Sequence, residues 1–144
     1  MKMRYLLMDE VLYVHTAMIA EYGGTHGLRD VGLLESAVQR PQQTFGAKDL
    51  YPTVWLKAAA LYHSLTLNHA FVDGNKRTAI TATALFLRWN GWQLTADSEI
   101  LFRFILRVIR QKISVERIAT WLEAQSEAAE RDRYEQSHAR KNSK

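Results

Sequence analysis

The chain has no cysteine among its 144 residues. That excludes a disulfide framework and a thiolate nucleophile, and it suits a reducing compartment. No segment approaches the roughly 20 consecutive apolar residues that a membrane-spanning helix needs. The short apolar run after Met1-Lys2-Met3-Arg4 is broken by Asp9 and Glu10, so a secretory leader is not expected. A soluble, cytoplasmic protein is the expectation. Internal repeats are lacking, and so is a dedicated nucleic-acid arm. The net charge of +4 is spread out, because the last 19 residues hold five cations (Arg131, Arg133, Arg140, Lys141, Lys144) and four acids (Glu127, Glu130, Asp132, Glu135). Charge of that kind does not decide between a phosphate-handling enzyme and a ribonuclease.

What the chain does have is apolar material for one core, 47% of its residues, in stripes of helical period. Arg4–Leu7 reads as a short strand, and Asp9 as the N-cap of a helix to Tyr22 with Val11, Val14, Met18 and Tyr22 on its apolar face. Gly23-Gly24 ends that helix. Asp30 caps a short helix carrying Leu33, Leu34, Ala37 and Val38, which Pro41 stops. Residues 42–51 read as a β-hairpin or an ordinary surface loop. A helix from Pro52 or Thr53 to Leu65 follows, with His63 on it as a satisfied or solvated histidine. The helix Asn75–Asn90 is apolar nearly all round, which places it at the centre of a bundle. Asp97 or Ser98 caps a helix with Ile100, Leu101, Phe104, Ile105, Val108 and Ile109 inward. Its Arg103, Arg107 and Arg110 read as a solvated basic face. Ser114 caps the last helix, with Val115, Ile118, Trp121 and Leu122 on one side. The expected fold class is mainly α, a single helical bundle over residues 1–125, with 126–144 a frayed helix running into a charged, disordered tail.

Chemistry concentrates in Asn68-His69-Ala70-Phe71-Val72-Asp73-Gly74-Asn75-Lys76-Arg77-Thr78, between two helices. Taken singly these residues have plain readings: a solvated loop histidine, a turn and N-cap, a solvated pair of cations. Together, a base, a carboxylate and phosphate-binding groups within nine residues at a helix N-terminus point to nucleotide chemistry. His69 can take a proton from a hydroxyl. Asp73 is the only carboxylate of the loop and a hard oxygen donor suited to Mg²⁺. Gly74 and Asn75 line an anion cradle, Lys76 adds a point charge and Arg77 a planar fork. Phe71 reads as an anchor to the core.

His69-Ala70-Phe71-Val72-Asp73-Gly74-Asn75-Lys76-Arg77 resembles the signature loop of the Fic/Doc superfamily. The pattern there is His, any, Phe, any, Asp or Glu, Gly or Ala, Asn, Gly or Lys, Arg. Tyr22-Gly23-Gly24, Gly27-Leu28-Arg29-Asp30, Gly32-Leu33-Leu34-Glu35-Ser36-Ala37 and Arg40-Pro41 resemble the N-terminal part of Doc-type ("death on curing") toxins. With Arg88-Trp89-Asn90-Gly91 the likeness covers roughly residues 1 to 125.

The resemblance implies ATP and Mg²⁺ as cofactors, a protein hydroxyl as acceptor, and catalytic roles for His69, Lys76 and Arg77 with Asp73 at the metal. It also implies that a hairpin at 42–51 acts as a flap that positions the target segment by strand pairing. Lysine before the arginine, here Lys76, is the Doc arrangement and implies transfer of the γ-phosphoryl, as by a protein Ser/Thr kinase. Fic enzymes with glycine there move AMP. Gly74 stands where Doc-like kinases can have alanine, so AMP transfer stays open. A catalytically silent Fic-fold binding module and a nuclease toxin are the other classes. In Doc the target is translation elongation factor Tu. No glutamate of this chain is followed by glycine or asparagine, so the inhibitory helix of many Fic proteins has no counterpart. That implies a separate antitoxin, docking through a disordered segment that folds into a helix in an apolar groove.

Overall fold

The structure, a computed structural model, describes residues 2–130. Helix α1, Met8–Tyr22, starts one residue before the expected cap. Leu7 is the N-cap residue, and the Glu10 carboxylate in the first turn accepts from its N–H at 2.9 Å, leaving Asp9 no capping role. The expected strand at Arg4–Leu7 does not form. Its backbone is satisfied by a side chain instead: Arg4 N–H donates to Asn90 Oδ1 and Asn90 Nδ2 donates to Arg4 O, both at 2.9 Å.

Helix α2, Val31–Gln39, is capped by Asp30, whose carboxylate accepts from Leu33 N–H at 3.0 Å. It tightens into a 3₁₀ turn, Arg40–Gln42, at Pro41. The segment read as hairpin or loop is a hairpin: β1, Thr44–Phe45, pairs antiparallel with β2, Lys48–Asp49, in the register Thr44↔Asp49 and Phe45↔Lys48. The capping hydroxyl of Thr53 opens α3, Val54–Leu67. The loop 68–74 leads into α4, Asn75–Trp89, of which only Lys76, Arg77 and Arg88 are exposed. Strand β3, Trp92–Leu94, follows, then α5, Ser98–Gln111, capped by Asp97, and α6, Val115–Ala124, capped by Ser114.

The chain departs from expectation at its C-terminal end. Residues Ser126–Ala128 form β4, antiparallel to β3 with Trp92↔Ala128, Gln93↔Glu127 and Leu94↔Ser126, where a frayed helix was expected. Cross-strand pairing satisfies the backbone that a helix with no apolar stripe would leave unsupported. Ala129 and Glu130 follow β4 without regular structure, and the part of the expected tail beyond them, 131–144, lies outside the described residues.

Helix α3 is the hub: it packs chiefly on α4 and α6, while α1 lies on α4. Ala58, Ala59 and Ala60 are fully buried and let neighbouring backbones approach. Around them sit Leu61, Tyr62, Phe86, Leu87, Ile118 and Leu122, all at most 1% exposed. Each such aliphatic or phenyl side chain contributes about 1.5–3 kcal/mol. Exposed ion pairs such as Arg4–Glu10 and Arg103–Glu99 contribute roughly 0–1 kcal/mol each. The core, not surface charge, seats the loop. On α5 the inward face is Phe104 and Val108, whereas Ile100 is exposed, at 39%. Its neighbour Leu101, also in the first turn, packs against the core. Arg103, Arg107 and Arg110 are exposed, as a solvated face requires.

Candidate active site

The site forms where α3 ends and α4 begins. Asn68 is the C-cap of α3, and the next residue, His69, has φ of 52°, the left-handed conformation. Ala70 and Phe71 turn inward, 2% and 3% exposed, while Val72 and Asp73 face solvent. Segment 27–30 braces the loop from below. Arg29 and Asp30 N–H both donate to Ala70 O, at 2.8 and 3.0 Å, and Val72 N–H donates to Gly27 O at 3.0 Å. The Arg29 guanidinium donates through Nε to His69 O at 2.7 Å and through Nη2 to Asn68 O at 3.1 Å.

Two groups hold the loop from within. Asn75 closes a ring on Phe71: its Oδ1 accepts from Phe71 N–H and its Nδ2 donates to Phe71 O, both at 3.0 Å. His15, 4% exposed on α1, stacks on the Phe71 ring with centroids 3.9 Å apart and planes 6° from parallel. Its Nε2 lies 2.8 Å from Asp73 O. The rigid underside leaves a cleft of about 550 Å³ above it, lined by His69, Asp73, Gly74, Asn75, Lys76 and Arg77 from the loop and by Tyr22, Gly23 and Gly24 from the end of α1.

No side chain caps α4, so the first-turn amides keep their hydrogen-bonding capacity and the positive dipole end faces the cleft. Asp73 Oδ2 accepts from Thr25 N–H at 3.0 Å and Oδ1 from Gly74 N–H at 2.8 Å. The Thr25 N–H, then the Gly74 N–H, with a smaller contribution from nearby His15, hold the carboxyl below its usual range against slight desolvation. It stays ionised, and each oxygen keeps a lone pair free. Among the described residues no three His, Cys, Asp or Glu side chains form a metal-binding group. An ion at Asp73 would therefore complete its shell with phosphate oxygens and water, as Mg²⁺ commonly does. Lys76 is exposed, and the Arg77 guanidinium lies over the Tyr22 ring, 3.9 Å from its centroid.

A profile of the Fic/DOC family matches residues 5–87. The chain belongs to the Fic/DOC family. It is 52% identical over 96 residues to Toxin Doc of Mycolicibacterium smegmatis, spanning 67% of this chain and 72% of that protein. It is 35% identical over 121 residues to Protein kinase doc of Escherichia phage P1, spanning 83% of this chain and 94% of that protein. The Doc-type resemblance thus extends beyond the signature loop.

Within this Fic/Doc domain all six expected site residues line one cleft, Asn75 by its backbone and not its side chain. The Asn75 side chain is turned inward and committed to Phe71, so only its backbone N–H is available to an anion. At Gly74 an added Cβ would meet Ile19 Cδ1 at 3.0 Å and His15 Nε2 at 3.6 Å. The glycine there makes the turn into α4 in the left-handed conformation, φ 76°, and allows close packing on α1. Tyr22, expected in the apolar stripe, is 56% exposed and faces Arg77.

His15, Arg29 and Thr25 were not foreseen as parts of the site. The spacing of Val11, His15 and Ile19 offers the one signal for His15, a polar group in an otherwise buried i, i+4 row. Arg29 and Thr25 act across about 40 residues of sequence or more, which local pattern does not carry. Phe71 is the anchor it was expected to be.

Proposed function

We propose that the protein is a Doc-like toxin that transfers the γ-phosphoryl of ATP to a hydroxyl side chain of a protein target. The observation that carries this reading is the convergence of His69, Asp73, Lys76 and Arg77 on one cleft at the uncapped start of α4. His69 takes the proton of the acceptor hydroxyl as that oxygen attacks the γ-phosphorus. The bond from γ-phosphorus to the bridging oxygen breaks, and ADP leaves with the electron pair. Lys76, Arg77 and the first-turn amides stabilise charge on the transferred group, and protonated His69 returns its proton to solvent. Mg²⁺ held by Asp73 would neutralise phosphate charge. The hairpin β1–β2 offers exposed strand edges to the target segment.

Elongation factor Tu in the cytoplasm is the target that the likeness to Doc suggests, with arrest of translation as the result. Restraint would come from an antitoxin helix in the apolar groove of about 620 Å³ between α1, α4 and α5, where Met18, Ile80, Leu101 and Ile105 meet Tyr22, Lys76 and Arg77. The test is labelling of target protein from γ-labelled and not α-labelled ATP, abolished in His69→Ala. Label from the α position alone would make the enzyme an AMP transferase. Expression of the chain alone should arrest growth, and the neighbouring gene's product should relieve it.

A further inference from the structure

We infer that Arg29 is a positioning residue for the base, holding His69 in a conformation that the loop alone does not favour. The inference rests on the reading of His69 as base. His69 follows the C-cap of α3 with φ of 52°, a place where glycine is the common occupant because any Cβ is crowded. Among the described residues the His69 ring makes no hydrogen bond, so no orienting partner fixes it from the side-chain end. Its direction is set by the backbone.

Five hydrogen bonds tie 27–30 to 68–72, and two of them come from the Arg29 guanidinium, to His69 O at 2.7 Å and Asn68 O at 3.1 Å. These carbonyls lie at the negative end of α3, where a cation is favoured. Arginine's planar fork reaches two successive oxygens at once; lysine brings a point charge and methionine only the stem. The other three bonds are donated by backbone N–H groups and survive substitution of the side chain. Removing the fork therefore loosens the His69 peptide without unfastening the brace.

Arg29→Met should lower kcat by about 10²-fold, the cost of a misplacement on the order of 1 Å. KM for ATP should hold within about twofold, because the nucleotide's cations stand on α4. Arg29→Lys should recover part of the loss. The Cα and Cβ chemical shifts of His69 give a readout independent of transfer and should move away from left-handed values in Arg29→Met. Full kcat in Arg29→Met, a loss confined to KM, or unmoved His69 shifts would overturn the assignment. If Arg29→Met does not fold, the same measurements on Arg29→Lys decide it. A wild-type protein that transfers nothing, or a fully active His69→Ala, overturns the base reading instead, and the His69 shifts still test the hold of Arg29.

Discussion

Asn75 spends both ends of its amide on one residue, and that makes it the narrowest support of the site. Replacing it with alanine leaves the N–H and C=O of buried Phe71 without partners. Each such orphan costs about 1–3 kcal/mol, so Asn75→Ala should destabilise by about 2–4 kcal/mol in denaturant melts and lose transfer activity. An unchanged midpoint would mean that the ring is replaced by water. Gly24 is a second narrow point. A Cβ there would stand 2.7 Å from Asp73 Oδ2, at φ of 122°. Gly24→Ala should push the carboxylate off Thr25 N–H and raise the Mg²⁺ concentration needed for half-maximal activity; unchanged metal dependence would show that Asp73 does not bind the ion. At this scale the sequence is legible where one residue type has one job. His69 and Asp73 sit where the motif puts them. It is not legible for Asn75, whose amide suits a cradle and a staple equally, or for Arg29, whose partners are about 40 residues away.

The hairpin β1–β2 is a small element rooted by two cations of the bundle. Lys57, 3% exposed on α3, donates to Pro41 O at 3.3 Å and to Asp49 Oδ2 at 3.2 Å. Arg40 donates through Nε to the Tyr51 hydroxyl, and through Nη1 reaches Ser64 Oγ and His63 Nδ1, all at 2.9 Å. His63 is thus the satisfied histidine of the two readings, and it must be unprotonated at Nδ1 to accept. Desolvation first, then the Arg40 charge, lower its pKa from the ordinary 6.5. A lowered folded-state pKa means that the unfolded chain binds the proton more readily. The stability from neutral His63 is therefore complete above pH 6.5 and is lost as pH falls from 6.5 through the folded value. Melts between pH 7.5 and about 5 should show falling stability, with a flatter profile in His63→Gln, whose carbonyl oxygen can still accept from Arg40. Identical profiles would remove His63 from the root of the hairpin. The helices were legible because period and caps agree, as at Asp30, Thr53, Asp97 and Ser114. The hairpin was legible only as one of two options, since two-residue strands carry too little pattern.

For the molecule as a whole, the strand pair β3–β4 fastens residues 126–130 to the bundle. Thr95 N–H donates to Gln125 O at 2.8 Å, Ala129 N–H to Gly91 O at 2.9 Å, and Arg88 Nη2 to Glu130 O at 3.3 Å. Ending the chain after Gln125 should lower the melting temperature relative to ending it after Glu130. Equal values would mean that the clasp adds nothing to the core. The bundle could be read from the stripes, whereas Ser126-Glu127-Ala128 shows no strand signal and is drawn into pairing by Trp92–Leu94. The same wholeness applies to the two concavities. Tyr22, Lys76 and Arg77 line both the cleft over the loop and the groove between α1, α4 and α5. Occupants of the two share side chains, so their binding free energies are not independent. Under the proposed function, with ATP in the cleft and the antitoxin helix in the groove, whatever factor the helix would impose on ATP affinity, ATP would impose on the helix in return. Nucleotide supply would then help set how tightly the restraint is held, and a starving cell would alter its grip without any change in the partner's concentration.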